Sequence, residues 1–335
     1  MGFRSQIKEY LNMILGKFDC EIIPAPLVYD WQRDLPSQER LPVILPGNAE
    51  RILVPDNPDL LELEARYREY RDYPAEEVLL WTADRVRSED ILYFRGHNAY
   101  VFQEGRCNRN LFGYLLAYYY TKSIDRRGLL DTLTEDSAFG AISYQIDGRG
   151  ISRDLLDSIL EIYFLEDHLG LWKKSSLSVL DIGAGYGRLA HRMANSLPNL
   201  EKYLCTDAVA VSSFICDYYL RFRGLDEVCK VVGLDRVWEE IPPGSIDLAL
   251  NIHSFSECTP KAIEWWIHLL AEKEVPHLMI VPNAGEKLLT NDGVDFGYLL
   301  EKYGYQFQAS QPKYQDPIVQ KYALNPDHFH LFNLK

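Results

Sequence analysis

The chain has 335 residues, of which 47% are hydrophobic and 25% charged, and its formal net charge is -14. This length favours two compact units, and the composition excludes a disordered or fibrous chain. The acidic balance argues against nucleic acid and anionic membrane surfaces as main partners, and it suits a neutral or cationic small molecule or a glycan. No CxxC pair, signal-peptide pattern or bilayer-spanning apolar run is evident, so we expect a soluble cytoplasmic protein with reduced thiols.

The first part of the chain is predicted to be mostly helical. Apolar residues at helical spacing predict an amphipathic helix over residues 3–18, and a helical pattern returns at residues 58–73 after a proline-rich stretch. Residues 91–105 are typical of a strand or hairpin, and an aromatic helix follows at residues 109–124. We interpret residues 1–149 as a region that binds substrate or covers the site.

From residue 150 the pattern changes to alternating strands and helices. A helix is expected to begin after Ser152, a suitable N-cap, and to end near Gly170. Residues 150–335 therefore predict an α/β fold, a doubly wound and mainly parallel Rossmann-like sheet with an antiparallel hairpin at its C-terminal edge. The strands are expected within residues 177–183, 202–208, 228–234, 245–252 and 277–283. Residues 293–310 are expected to hold a helix and a late strand, and residues 328–334 a second late strand.

A glycine-rich loop follows the first of these strands in the segment VLDIGAGYGRLAHR. Gly183, Gly185 and Gly187 occupy alternate positions, where glycine lets the backbone pass close to a ligand. A dinucleotide-binding loop requires glycine at the position of Arg188, and no Gly-Lys-Ser/Thr of a phosphate-binding loop follows. A dehydrogenase with a degenerate loop stays a weaker alternative.

The segment LDIGAGYGRLA resembles the first motif of the class I methyltransferases that use S-adenosylmethionine (SAM). The resemblance implies SAM as the cofactor and a methyltransferase as the enzyme class. Asp181 would face the ammonium of SAM, and the loop backbone, including Ala184, would follow its amino-acid and ribose parts. The N-terminus of the next helix favours the carboxylate end.

Acidic residues after the second and third strands are candidates for the nucleoside end of SAM. Asp207 lies twenty residues after Gly187, where its carboxylate can accept hydrogen bonds from both ribose hydroxyls or, alternatively, cap a helix. After the third strand, Leu234 is a candidate for the adenine ring and Asp235 for its amino group, against a plain turn.

The segment SIDLALNIHSFSEC carries the candidates for chemistry. Ligands bind at the carboxyl ends of parallel strands, which would put Asn251, His253, Ser254 and Glu257 beside the sulfonium. A hydroxyl acceptor needs a general base, and His253 is the candidate, with a structural hydrogen bond as the alternative. Glu257 could orient the imidazole, act as a base, or begin the next helix.

A narrower resemblance rests on NIHSFSEC, FRGHNAYVFQ, LTEDSAFGA and SRDLLDSILEIYFL. These segments are similar to the sugar O-methyltransferase family related to the enzyme of nanchangmycin biosynthesis, which implies a sugar or glycoconjugate acceptor. The resemblance implies that Arg95, Asn98 and Tyr100 shape the acceptor side and that Arg153 grips the SAM carboxylate, unless Arg153 is a solvated surface residue. Methylation of a non-sugar molecule, an inactive SAM-binding subunit and a homo-oligomer stay open.

The sequence offers a candidate metal site near its C-terminal end, but we do not predict a bound metal. The segment DHFH, with Asp327, His328 and His330, is the candidate. His328 and His330 would share one face of a strand, with Asp316 or Asp292 as a third ligand, but polar residues on an edge strand are the favoured interpretation. Arg192, on the helix after the glycine loop, is expected at the surface.

Overall fold

The computed structural model describes residues 3–18, 43–70, 72–74, 91–96 and 111–335. The helices are α1 (Phe3–Leu15), α2 (Ala49–Ile52), α3 (Pro58–Glu69), α4 (Leu111–Ile124), α5 (Leu129–Thr132), α6 (Arg153–Leu169), α7 (Arg188–Ser196), α8 (Ala210–Phe222), α9 (Val237–Glu240), α10 (Pro260–Glu272), α11 (Gly297–Lys302) and α12 (Pro317–Tyr322). The strands are β1 (Ser143–Ile146), β2 (Arg149–Ser152), β3 (Leu177–Ile182), β4 (Leu200–Thr206), β5 (Cys229–Val231), β6 (Leu248–Ile252), β7 (His277–Val281), β8 (Tyr305–Pro312) and β9 (His328–Leu334).

Seven strands form one sheet in the order β5-β4-β3-β6-β7-β9-β8, and β1 and β2 form a separate antiparallel hairpin. The five strands from β5 to β7 are parallel, whereas β9 is antiparallel to both β7 and β8. The predicted α/β, Rossmann-like sheet with antiparallel C-terminal edge strands is confirmed. The chain reverses its direction of winding between β3 and β6, and this point is where such sheets bind ligands.

Helix α6 begins and ends where local chemistry predicts. The Ser152 hydroxyl accepts a hydrogen bond from the Leu155 N–H at 3.0 Å, and Gly170 ends the helix at φ 62°. A capping hydroxyl satisfies one of the N–H groups that a helix leaves unpaired, and glycine adopts the left-handed terminus without a steric cost. The helix therefore starts with Arg153 directed towards the carboxyl edge of the sheet, where the cavity described below lies.

Side chains on β3 alternate between two apolar cores, one on each face of the sheet. Leu177 and Val179 pack in a core that contains buried residues of α6 and α7, while Leu180 and Ile182 pack with α10 on the other face. A parallel sheet buried on both faces requires such near-continuous apolar strands. The two layers hold the carboxyl ends of β3, β4 and β6 in fixed relative positions.

The region before residue 150 packs against this framework through a third apolar cluster, which joins residues of α2, α3 and residues 91–96 to Tyr186 and to α8. Residues 91–96 form a helical turn and a bend rather than the expected strand, and residues 97–105 lie outside the described part. The division of the chain at residue 150 stays a prediction. Among the described helices, none combines the length and apolar character needed to cross a bilayer.

Candidate active site

A cavity of about 850 Å³ opens at the carboxyl ends of β3, β4 and β6. This volume is in the upper part of the range for small-molecule and cofactor sites. The sequence candidates that line it are Arg153, Asp181, Gly183, Ala184, Gly185, Asp207, His253, Ser254 and Glu257. The sheet topology thus brings together residues from four separate stretches of the chain.

The start of the glycine loop is anchored to the end of β4. The N–H groups of Gly183 and Ala184 both donate to the Thr206 carbonyl, at 2.8 and 3.2 Å. Gly183 has φ 73°, and a Cβ on it would lie 2.1 Å from the Ser254 hydroxyl. Glycine is required here because the loop after β6 presses against it.

The other two glycines serve different purposes. A Cβ on Gly187 would lie 2.9 Å from the Cys216 sulfur, so this glycine permits close packing of the loop on α8. Gly185, at φ 57°, has no heavy atom of the described residues within 4 Å of where a Cβ would stand, and it lines the cavity. Of the three, Gly185 alone is positioned to keep space open for a ligand.

Two carboxylates face the cavity from the ends of β3 and β4. Asp181 is buried and accepts a hydrogen bond from the Tyr203 hydroxyl at 2.7 Å, and burial raises its pKa to about 6. Asp207 accepts from the N–H groups of Val209 (2.8 Å) and Gly185 (3.2 Å). Burial raises the pKa of Asp207 to about 7, since the penalty of desolvation outweighs these two hydrogen bonds.

Arg153 supplies positive charge to the wall of the cavity. Its side chain is 14% exposed, and its Nε lies 3.5 Å from Asp157 Oδ2. Although burial opposes the charge, Asp157 and Asp154 raise the pKa of Arg153. Arg153 is therefore a buried cation in the cavity wall rather than a solvated surface residue.

His253 enters the cavity from a strained backbone position after β6. It has φ 68°, unusual for a residue other than glycine, and its N–H donates to the Val281 carbonyl at 2.7 Å. The ring Nε2 lies 3.9 Å from Asp327 Oδ2, while Nδ1 is buried and has no hydrogen-bond partner among the described residues. The nitrogen left for a ligand is thus Nε2.

Asn251 lies behind this loop and does not line the cavity. Its side chain is fully buried; Nδ2 donates to the Ile182 carbonyl (3.0 Å) and Ser254 Oγ (2.6 Å), and Oδ1 accepts from the Phe255 N–H (2.9 Å). With these bonds the amide holds the turn that carries His253. The structure therefore gives Asn251 a positioning contact and no direct path to a cofactor.

Glu257 ends a short 3₁₀ turn, Ser254–Glu257, and lines the cavity. It does not begin the next helix: α10 starts at Pro260, and the Thr259 hydroxyl accepts from the Ala262 N–H at 3.4 Å. Its negative charge adds to the effects that raise the pKa of Asp207.

Leu234 and Asp235 are not brought into the cavity. The Leu234 N–H donates to the Tyr67 hydroxyl at 3.0 Å, and the side chain is buried in the core. Both oxygens of Asp235 accept hydrogen bonds from Arg66, each at 3.0 Å, and this pairing lowers the pKa of the carboxyl. Side chains of α3 therefore bind the residues that the sequence predicts as adenine contacts.

Arg95 is also placed away from the cavity. It is fully buried and pairs with Glu135 at 2.7 Å and Asp136 at 2.9 Å. Arg192 meets the same Glu135 at 2.7 Å and is 2% exposed, so the expected surface position of Arg192 is wrong. Of the other acceptor candidates, Asn98 and Tyr100 lie outside the described residues.

Two segments far from the glycine loop also contribute to the cavity, although the sequence did not assign them to SAM or to the acceptor. Tyr73 lines the cavity from the N-terminal region, and residues 325–327 line it from the loop before β9. His328 and His330 lie side by side, with ring centroids 5.2 Å apart. Within the described residues, no group of three His, Cys, Asp or Glu side chains is arranged to hold a metal ion.

Neither a family model nor a curated protein matches the chain. Among solved structures, it is similar to the [4+2]-cyclase SpnF, with 15% identity over 56% of this chain and 85% of that one, at a TM-score of 0.41. The mitomycin 7-O-methyltransferase MmcR is 20% identical over 55% of this chain and 57% of its own, with a TM-score of 0.39.

A third similar structure is the geranyl diphosphate C-methyltransferase from Streptomyces coelicolor A3(2), solved with Mg²⁺, geranyl diphosphate and S-adenosyl-L-homocysteine. It is 8% identical over 52% of this chain and 78% of its own, at a TM-score of 0.39. The names of these three proteins record different reactions, so the similarities do not indicate which reaction this chain catalyses.

Proposed function

We propose that the protein is a SAM-dependent O-methyltransferase that transfers a methyl group to a sugar hydroxyl. The observation that carries the proposal is a single cavity at the sheet's reversal point that gathers a glycine loop, two strand-end carboxylates and a histidine with an accessible ring nitrogen. We also propose that the protein is cytoplasmic.

The residues of the cavity fit SAM. The open space at Gly185 accommodates a ligand backbone, and Asp207 at the end of β4 has the acceptor oxygens for a ribose diol. Asp181 would attract the ammonium, and Arg153 would pair with the carboxylate. Burial is the largest cause of the raised pKa of both aspartates, although Arg188 acts against it at Asp181. A bound cation would favour the ionised form of each carboxyl.

When bound, SAM supplies a methyl group on a sulfonium, whose carbon–sulfur bonding pair stays with sulfur as the acceptor oxygen bonds to the methyl carbon. His253 Nε2 accepts the proton of the attacking hydroxyl, so the ether product forms without a buried alkoxide. Positioning by the β6 loop and general-base assistance, typically ~10²–10⁴-fold, are the two proposed contributions to catalysis. Glu257 is proposed to tune the charge around His253.

The sugar acceptor is supported by the character of the cavity wall beyond His253. Asn283, Asn325 and Asp327 present short polar side chains there, which suits the hydroxyl groups of a carbohydrate. The segments similar to sugar O-methyltransferases point the same way.

The test combines a binding and a turnover measurement. SAM affinity is measured by calorimetry, and methyl transfer is measured with labelled SAM and a panel of methyl glycosides of common hexoses and 6-deoxyhexoses. We expect His253→Ala to bind SAM normally and to lose about 10²–10⁴-fold in turnover. His268→Ala is the matched control, because the His268 side chain is 45% exposed on α10.

Full turnover by His253→Ala would place the base elsewhere. Normal SAM binding without transfer to any glycoside would favour a non-sugar acceptor or an inactive SAM-binding subunit.

A further inference from the structure

The loop between α12 and β9 forms a wall of the cavity next to His253. Asn325, Pro326 and Asp327 all line it. Asn325 has φ 43°, and its carbonyl accepts a hydrogen bond from Lys313 Nζ at 3.0 Å. This hydrogen bond holds the loop in place where β9 begins.

Asp327 is paired with Lys313, a buried residue of the neighbouring strand end. The Lys313 Nζ lies 3.2 Å from Asp327 Oδ2 and 2.5 Å from Asp157 Oδ1, and the Lys313 side chain is 1% exposed. The backbone N–H of Lys313 also donates to the Asp327 carbonyl at 2.9 Å. Lys313 thus bridges Asp157 and Asp327. The Asp327 carboxyl is fixed in place by this contact and offers its oxygen atoms as hydrogen-bond acceptors.

The spacing of Asp327 and His253 defines a pair of acceptors. The distance of 3.9 Å between Asp327 Oδ2 and His253 Nε2 is too long for a hydrogen bond between them. The Asp327 side chain is 16% exposed towards the cavity. Two acceptors at this separation can each receive the proton of one of two adjacent hydroxyl groups.

We propose that this pair selects an acceptor with a vicinal diol. His253 receives the proton of the hydroxyl that is methylated, and Asp327 accepts a hydrogen bond from the hydroxyl on the neighbouring carbon. This inference rests on the proposed function and narrows the class of acceptor. Asp327 becomes a specificity residue, and an acceptor without a hydroxyl next to the methylated one becomes a poor substrate. The atom balance of methyl transfer is unchanged, since the neighbouring hydroxyl keeps its proton.

The experiment compares each methyl glycoside that accepts a methyl group with its analogue lacking the neighbouring hydroxyl. We expect the wild-type kcat/KM to favour the diol by about 10- to 100-fold, the range for a hydrogen bond to a charged acceptor. In Asp327→Asn the preference should fall to a few-fold, and in Asp327→Ala it should disappear, with SAM affinity unchanged in both. Glu286→Gln, the same charge change at an exposed side chain outside the cavity lining, should keep the full preference.

Equal kcat/KM for the diol and its deoxy analogue in the wild type would overturn the inference and leave the methyltransferase proposal intact. A full preference retained by Asp327→Ala would overturn the role of Asp327. SAM binding without transfer to any glycoside would overturn the sugar acceptor, and the diol inference with it. Unchanged SAM affinity in both variants shows that a lost preference does not come from unfolding.

Discussion

The buried carboxyls of the cavity predict that SAM affinity rises with pH. In the free protein, burial raises the pKa of Asp207 to about 7 and that of Asp181 to about 6, so both are partly protonated near neutrality. A cationic ligand with ribose hydroxyls stabilises the ionised forms, and binding therefore expels protons. Acidification must weaken binding, because protons compete with SAM for the same carboxylates.

The magnitude follows from the two pKa values. When the pH falls from about 7.5 to about 6, the need to ionise Asp207 lowers the SAM affinity by about 8-fold. The same requirement at Asp181 brings the total loss to about 15-fold. At about pH 6, roughly 1.4 protons should be released for each SAM bound.

Calorimetry in two buffers of different ionisation enthalpy measures both the affinity and the proton release. In Asp207→Asn we expect the SAM affinity at about pH 7.5 to fall by about 10- to 100-fold. The pH dependence that remains should be about 2-fold, because only Asp181 still has to ionise. Asp235→Asn is the control with the same chemical change, since Asp235 is bound by Arg66 outside the cavity. It should keep the full pH effect.

An affinity that is constant over this range, or that increases on acidification, would refute the assignment of these carboxyls to SAM. So would an equal loss of SAM affinity in the Asp207 and Asp235 variants.

Three further predictions concern the loop and the buried charges. Gly183→Ala should lower the free energy of unfolding by about 1–3 kcal/mol, because its Cβ would meet Ser254, and denaturant titration with Ser254→Gly as a partial rescue checks this. Gly185→Ala should cost only about 1 kcal/mol of stability for its left-handed backbone yet weaken SAM binding, and an unchanged affinity would contradict the open space assigned to it. Glu135→Gln should cost about 3–5 kcal/mol in the same titration, because two buried arginines lose their shared carboxylate; a loss below about 1 kcal/mol would mean that water reaches them.

Periodicity and capping were sufficient to predict the sheet. Alternating apolar strands and helices indicate a doubly wound fold, and Ser152 and Gly170 mark the ends of α6 by chemistry that acts within a few residues. The same local logic located the cavity, because parallel strands end at one edge and the glycine loop follows β3. These features depend on neighbours in the sequence.

The positions that sequence reasoning could not assign depend on partners far along the chain. Asp235 has the spacing of an adenine contact, but its partner Arg66 lies 169 residues away and brings α3 over the end of β5. Arg95 stands in a segment similar to an acceptor motif, yet two acidic residues forty positions later hold it in the core. Asp327 was considered only for metal binding, and its distance to His253 emerges when β9 pairs with β7.

The strand order has a consequence for how the protein is made. Strand β9 follows β8 in the chain but lies between β7 and β8 in the sheet, so neither of these two strands can complete its pairing before β9 has been made. At ~5–20 residues per second, about one to four seconds pass between the end of β8 and the end of β9. During this interval the edge of β7 is open, and a nascent chain with an apolar open edge can pair with other chains. A delay in the synthesis of residues 313–334 therefore lengthens the time for which this edge is exposed to other chains.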